Sequence, residues 1–180
     1  MSDTRKKLVE AALAEFTDQG FGGTDTNRIA RRAGFAPQTF YRWFRDKTEI
    51  FLAAYETWQA SERDLMAGLL RRNASLEDQV EAAIHHHRDH RLFRRSLRRL
   101  AQEDPAVREA RAQSRLRQIE RLGGADPAAT AVILLQMERL AEALAEGELG
   151  DMGLEETVAR QTMVQLLGQV REAGRSRTSP

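Results

Sequence analysis

Gln38, Thr39, Arg42 and Trp43 lie within six residues of one another and offer an amide, a hydroxyl, a guanidinium and a large ring. A glutamine amide can pair bidentately with adenine and an arginine with guanine, while a threonine or an aromatic ring can touch a thymine methyl. These base edges lie in the major groove of duplex DNA, which admits one helix. The chemistry offered is recognition, not bond-making. The same stretch, AGFAPQTFYRWF from Ala33 to Phe44, also holds Phe35, Phe40, Tyr41 and Phe44 in a sequence with only 7 Phe, 2 Trp and 2 Tyr.

A helix must present these side chains, and the flanking residues provide one. Pro37 suits a first helical position, where its missing N–H has no partner to lose. At about 100° per residue, Pro37, Phe40 and Phe44 share one face with Tyr41 at its border, and Gln38, Thr39, Arg42 and Trp43 point the opposite way. Ahead of it, Asp25 can cap a helix over 26–32, and Gly34 can end that helix in the left-handed conformation. A longer helix from about Thr4 to Thr17, with Leu8, Ala12 and Phe16 as its stripe, ends at Gly20. Leu8, Phe16, Phe21, Ile29, Phe35, Phe40 and Phe44 are the expected core of this three-helix unit. Helix, tight turn and helix form a helix-turn-helix. Asp46 and Lys47 open a fourth helix, whose lysine and first N–H groups could hold a backbone phosphate.

From about Arg5 to Phe51 the residues resemble the amino-terminal domain of the TetR family of bacterial transcriptional regulators. The resemblance rests on Gly20-Phe21, Thr24 to Thr26, Ile29-Ala30, Ala33-Gly34, Thr39-Phe40-Tyr41, Phe44 and Asp46-Lys47. It implies that Thr26, Asn27, Gln38, Thr39, Tyr41, Arg42, Trp43 and Lys47 face double-stranded DNA, Tyr41 and Lys47 mostly towards phosphate. Thr26 departs from the family, which usually has an apolar residue there. Ala36 replaces the more common polar cap, so the reading helix depends on Pro37 for its start.

The rest of the chain carries helical periodicity without sustained strand alternation, so the expected fold is all-α. A long helix from Lys47 to about Leu70 is followed by helices near 76–88, 91–101, 105–121, 127–146 and 154–172. Ser75 with Asp78, Asp104-Pro105 and Asp126-Pro127 are start signals, and Gly123-Gly124 and Gly147 through Gly153 are breaks. The total of nine helices is the number the family implies. The domain reading is 1–50 for DNA binding, 51–174 for effector binding and dimerisation, and 175–180 as a disordered tail.

Helices 127–146 and 154–172 are apolar on more than one side, which one core cannot satisfy. A two-fold dimer joined through these helices supplies a second buried surface, with Val132, Leu135, Met163, Val164, Leu167 and Gly168 as interface candidates. Dimerisation also fits recognition, because two reading helices about one helical turn apart read a palindrome.

Trp58, Phe93, Leu134 and Met137 could line a pocket for a small-molecule effector, or could be plain core at helical spacing. Arg91, Arg94, Arg95, Arg98 and Arg99 fall on one side of a helix, as a charged outer face or as a site for an anionic effector. His86 and His90, an i, i+4 pair within the run His85 to His90, could ligate a metal or belong to a polar turn.

The net charge of +1 is unevenly spread: residues 61–125 carry 14 basic and 10 acidic side chains, and 126–174 carry 3 and 9. This argues against non-specific coating of DNA and for binding by one small face. Cys is absent, which excludes thiolate nucleophiles and disulfides. There is no Gly-rich phosphate loop or nucleophile elbow, so neither an enzyme nor a bound cofactor is expected. No apolar run approaches a membrane span, and the polar start MSDTRKK is no secretory signal, so a cytoplasmic protein without a membrane partner is expected. The reading is an effector-released repressor acting as a homodimer on a palindromic operator. Its alternatives are an architectural DNA-binding dimer without effector and a metal-responsive regulator.

Overall fold

The structure, a computed structural model, describes residues 2–123 and 126–175. The tail expected over 175–180 lies, from 176 on, outside the described residues, as does Gly124 of the expected 123–124 break. The described residues form helices and connecting turns only: α1 Asp3–Gln19, α2 Thr26–Arg32, α3 Pro37–Phe40, α4 Lys47–Arg71, α5 Leu76–Asp89, α6 Arg91–Glu103, α7 Pro105–Leu122, α8 Pro127–Glu146, α9 Glu148–Asp151 and α10 Thr157–Arg175. Among them are ten helices where nine were expected. The addition is α9, one turn inside the Gly147 to Gly153 break, whose Leu149 packs against the core formed by α5, α8 and α10.

The start signals act as their chemistry requires. Asp126 Oδ1 accepts the N–H groups of Ala128 and Ala129 at 2.8 and 3.1 Å, Asp104 Oδ1 that of Ala106 at 2.8 Å, and Ser75 Oγ that of Asp78 at 3.0 Å. None of the described helices is long and apolar enough to cross a membrane.

Packing divides the chain into two compact units. One comprises residues up to Leu65 together with His90–Ala110, the other Met66–Asp89 with the chain from Arg111 on. This is not the division drawn from sequence at residue 50, because α6 packs on α1. Three short helices expose one side of their core, and α6 closes it: Phe93, Leu97 and Leu100 join Leu8, Ala12, Phe16, Ile29, Phe40, Phe44 and Phe51. Phe21 and Phe35 are partly buried against the same cluster. The second unit gathers Val80 and Ile84 of α5, Ala141 and Leu144 of α8, and Ala159 and Met163 of α10.

Candidate nucleic-acid interface

The turn between α2 and α3 fixes the angle at which the recognition residues are presented. Asp25 Oδ1 accepts the N–H of Arg28 at 2.8 Å and starts α2. At its end, Phe35 N–H donates to the carbonyl of Ala30 at 2.9 Å and Gly34 N–H to that of Arg31 at 3.0 Å. These paired bonds with Gly34 at φ +81° form a Schellman turn, which satisfies carbonyls that a helix end would otherwise leave open. Ala36 contributes no side-chain cap to α3, and Pro37 stands at its first turn. The helix is shorter than the periodicity suggests. After Phe40 the chain continues in turns, with Trp43 and Phe44 N–H both donating to the Phe40 carbonyl at 2.9 and 3.0 Å. That shared acceptor keeps Phe44 beneath Phe40, with ring centroids 5.8 Å apart and both rings buried.

The opposite side is open. Gln38 and Arg42 are exposed, Tyr41 is 59% exposed and Trp43 37%, whereas Thr39 is half-buried. On α2, Asn27 is exposed and Thr26 half-buried, and the Thr26 and Tyr41 hydroxyls share a hydrogen bond at 3.0 Å. Arg5, from the start of α1, lies over the Phe44 ring at 5.1 Å. Seven of the eight residues expected to face DNA thus line the edge formed by α2, α3 and the turn after α3.

Lys47 is placed differently. Its ammonium donates to the carbonyls of Phe21 and Thr24 at 2.8 and 2.9 Å and lies 4.2 Å from the centre of the Phe21 ring. Burial, with the nearby Arg99 cation adding to it and Asp25 opposing it, pushes this ammonium below its ordinary range. The side chain therefore fastens the α1–α2 connection to the start of α4. Asp46 caps α4 by accepting the Glu49 N–H at 2.9 Å, and Glu49 Oε2 accepts the Arg45 N–H at 2.7 Å, a reciprocal arrangement close to a capping box. The Glu49 N–H, opposed by burial and aided by Arg45, holds the Asp46 carboxyl below its ordinary value.

Sequence reasoning missed Glu15. This carboxylate is buried on α1, where it accepts from Thr24 Oγ1 at 2.7 Å and Arg32 Nη1 at 3.1 Å, with Arg28 Nε at 3.5 Å. Arg32 also reaches Asp18 at 2.6 Å. Glu15 fixes α2 on α1 and so sets where α2 stands under the recognition edge. Its signal in the sequence was weak: an acid beside the apolar stripe, and two arginines four residues apart across a turn of undetermined length.

Other expected sites are distributed as follows. Trp58 and Phe93 are buried neighbours in the first unit, centroids 6.0 Å apart, while Leu134, buried, and Met137, half-buried, belong to the second. Arg94 departs from the expected charged outer face: it is 5% exposed, with its guanidinium 5.0 Å above the Trp58 ring, a desolvated cation–π stack. His85 is exposed, His86 and His90 are half-buried and His87 is buried, and among the described residues no three metal-ligating side chains come together. Val132 and Leu135 are each 54% exposed, and Val164, Leu167 and Gly168 are half-buried. Met163, 1% exposed, is taken up by the second unit's own core. Met152, Leu154 and Val158, which the interface candidates omitted, are large exposed apolar side chains of the same unit.

Residues 8–54 match the family model described as bacterial regulatory proteins, tetR family. The chain is 30% identical over 82 residues to the uncharacterized HTH-type transcriptional regulator YdgC of Bacillus subtilis (strain 168), a match covering 46% of this chain and 42% of that protein. The match thus spans less than half the length of that curated relative. A TetR-family transcriptional regulator from Rhodococcus sp. superposes with a TM-score of 0.74 at 19% identity, over 95% of this chain and 100% of that one. A transcriptional regulator of Streptomyces coelicolor A3(2) gives 0.69 at 18% identity, over 92% and 98%. At such identities these likenesses speak for the fold.

Proposed function

We propose that this chain, whose residues 8–54 match the family model of bacterial regulatory proteins, tetR family, and whose fold superposes on a TetR-family structure, is a DNA-binding transcriptional regulator of that family and acts as a homodimeric repressor. In this reading it occupies a palindromic operator and is released by a small-molecule effector. The observation that carries the DNA-reading role is the row of Gln38, Tyr41, Arg42 and Trp43 left open above buried Phe40 and Phe44. Two exposed large rings gain nothing from water, and their neighbours carry the donors that base edges match. Gln38 and Arg42 are assigned to base edges, Trp43 and Thr39 to thymine methyl or sugar, and Tyr41 to phosphate, with Thr26 and Asn27 at the border.

The dimer is supported by the apolar side chains that the second unit leaves outside, Val132 and Leu135 on α8 and Val158 on α10. A second copy would cover them and would place two reading edges on one duplex. Release by an effector is then a population shift: a ligand that binds better to a conformation with the wrong spacing of the two edges lowers operator affinity by its differential binding.

Selection of duplexes from a random library, followed by footprinting, tests the reading. A palindromic site should emerge, and Arg42→Ala should lose about 1–3 kcal/mol of binding at one base position while leaving binding to scrambled duplex nearly unchanged. Equal losses on both duplexes would refute base reading by Arg42. Light scattering on the V132E/L135E protein tests the dimer, which should become monomeric and bind only half-sites weakly.

A further inference from the structure

Thr26 opens α2, Tyr41 follows α3, and their hydroxyl oxygens lie 3.0 Å apart at the open edge of the recognition surface. The Tyr41 ring is also held along its side, where fully buried Phe40 meets it edge to face with centroids 5.3 Å apart. A tyrosine side chain has two torsions, and contacts at both ring and hydroxyl leave neither free. The phenol is nevertheless not enclosed, since Tyr41 remains 59% exposed. When Thr26 donates the shared hydrogen, the phenolic proton points away from Thr26 towards solvent. The oxygen that carries it is then polarised by the bond it accepts, which strengthens it as a donor. An exposed donor at a fixed position suits a phosphate oxygen, the kind of contact that sets the register of a protein on DNA.

We propose that Thr26 is a positioning residue whose hydroxyl holds the Tyr41 phenol so that its O–H donates to one non-bridging phosphate oxygen of duplex DNA. The proposal rests on the reading of this edge as the DNA-binding surface. It gives Thr26 a role through Tyr41 in place of a contact of its own. Ordering the phenol before binding removes an entropic cost from the complex, so losing the order weakens every sequence alike.

The experiment is a fluorescence-anisotropy titration of the full chain on two labelled duplexes, the one it selects from a random library and a scrambled one. Thr26→Val should weaken binding to both by roughly three- to tenfold, the scale of freeing one ordered side chain. Thr26→Ser, which restores the hydroxyl, should bind within about twofold of the parent. The salt dependence should keep its slope, because no cation is removed. In a Tyr41→Phe background, Thr26→Val should cause no further loss, an outcome that a general loosening of the fold would not produce. Unchanged binding by Thr26→Val, or an equal loss in the Tyr41→Phe background, overturns the proposal, the second by showing that Thr26 touches DNA itself or acts through the fold. If Arg42→Ala loses sequence preference while Thr26→Val behaves as the parent, only the positioning role fails. If the parent protein selects no duplex, the DNA reading fails and this proposal with it.

Discussion

Ser96 Oγ accepts the backbone N–H of Phe21 at 2.8 Å and donates to the Leu92 carbonyl at the same distance. One hydroxyl thus ties α6 to the turn that ends α1, across 75 residues of chain. The close approach calls for glycine at the turn, because Gly20 has φ +68° and a Cβ built on it would lie 3.3 Å from Ser96 Oγ. Ser96→Ala leaves a part-buried N–H without its acceptor and should destabilise the folded chain by about 1–3 kcal/mol. Chemical denaturation of the two proteins measures this, and a difference below ~0.5 kcal/mol would mean that water replaces the hydroxyl without cost.

Glu15 receives Thr24, Arg32 and Arg28 from the segment that positions α2. Glu15→Ala strips a buried acceptor from Thr24 and leaves Arg32 with Asp18 alone, while both arginines can still turn to water. A loss of about 1–3 kcal/mol follows, the cost of a buried donor left unsatisfied and less than breaking a fully buried ion pair causes. Glu15→Gln retains an acceptor for Thr24 and should lose less. Thermal melts of the three proteins decide the order.

Gly34, at φ +81°, has open space where a Cβ would stand. The cost of Gly34→Ala is therefore backbone strain alone, about 1–2 kcal/mol. Because the strain sits in the turn that aims α3, operator affinity should fall along with stability, and Gly34→Asn should recover part of both. Melting temperature and anisotropy on the selected duplex report the two effects separately.

Lys47 supplies a pH dependence. Its ammonium is held below the ordinary 10.5, chiefly by burial. In the alkaline window between the lowered value and 10.5 the unfolded chain binds more protons than the folded one, so this group makes stability rise with pH there. Lys47→Met should abolish that rise and, by removing two bonds to the Phe21 and Thr24 carbonyls, lose about 1–3 kcal/mol at neutral pH. Asp46 acts at the other end of the scale: held below 3.8, it stabilises above that value and loses its contribution as pH falls through the lowered one. Urea titrations across pH, with Asp46→Ala as the companion variant, resolve both.

The sequence alone determined what depends on neighbours a few residues apart. Asp25, Asp104 and Asp126 each cap the helix that follows, Gly34 makes the turn, and the wheel separates Phe40 and Phe44 from Gln38 and Arg42. Helix starts and their apolar faces are local chemistry, and the turn from Ala30 to Phe35 closes on its own backbone hydrogen bonds. The tertiary structure decided everything that joins distant segments: α6 closing the first core through Phe93, Ser96 reaching Phe21, Glu15 meeting Arg32 across the turn, Arg94 buried on Trp58, and Lys47 spent on two carbonyls. An arginine at helical spacing looks the same whether it faces water or a ring, and a lysine at a helix start does not reveal which carbonyls it will reach. Only the packed chain fixes which partner lies within 3 Å, because hydrogen bonds and desolvation are set by distance in space and not by separation along the sequence.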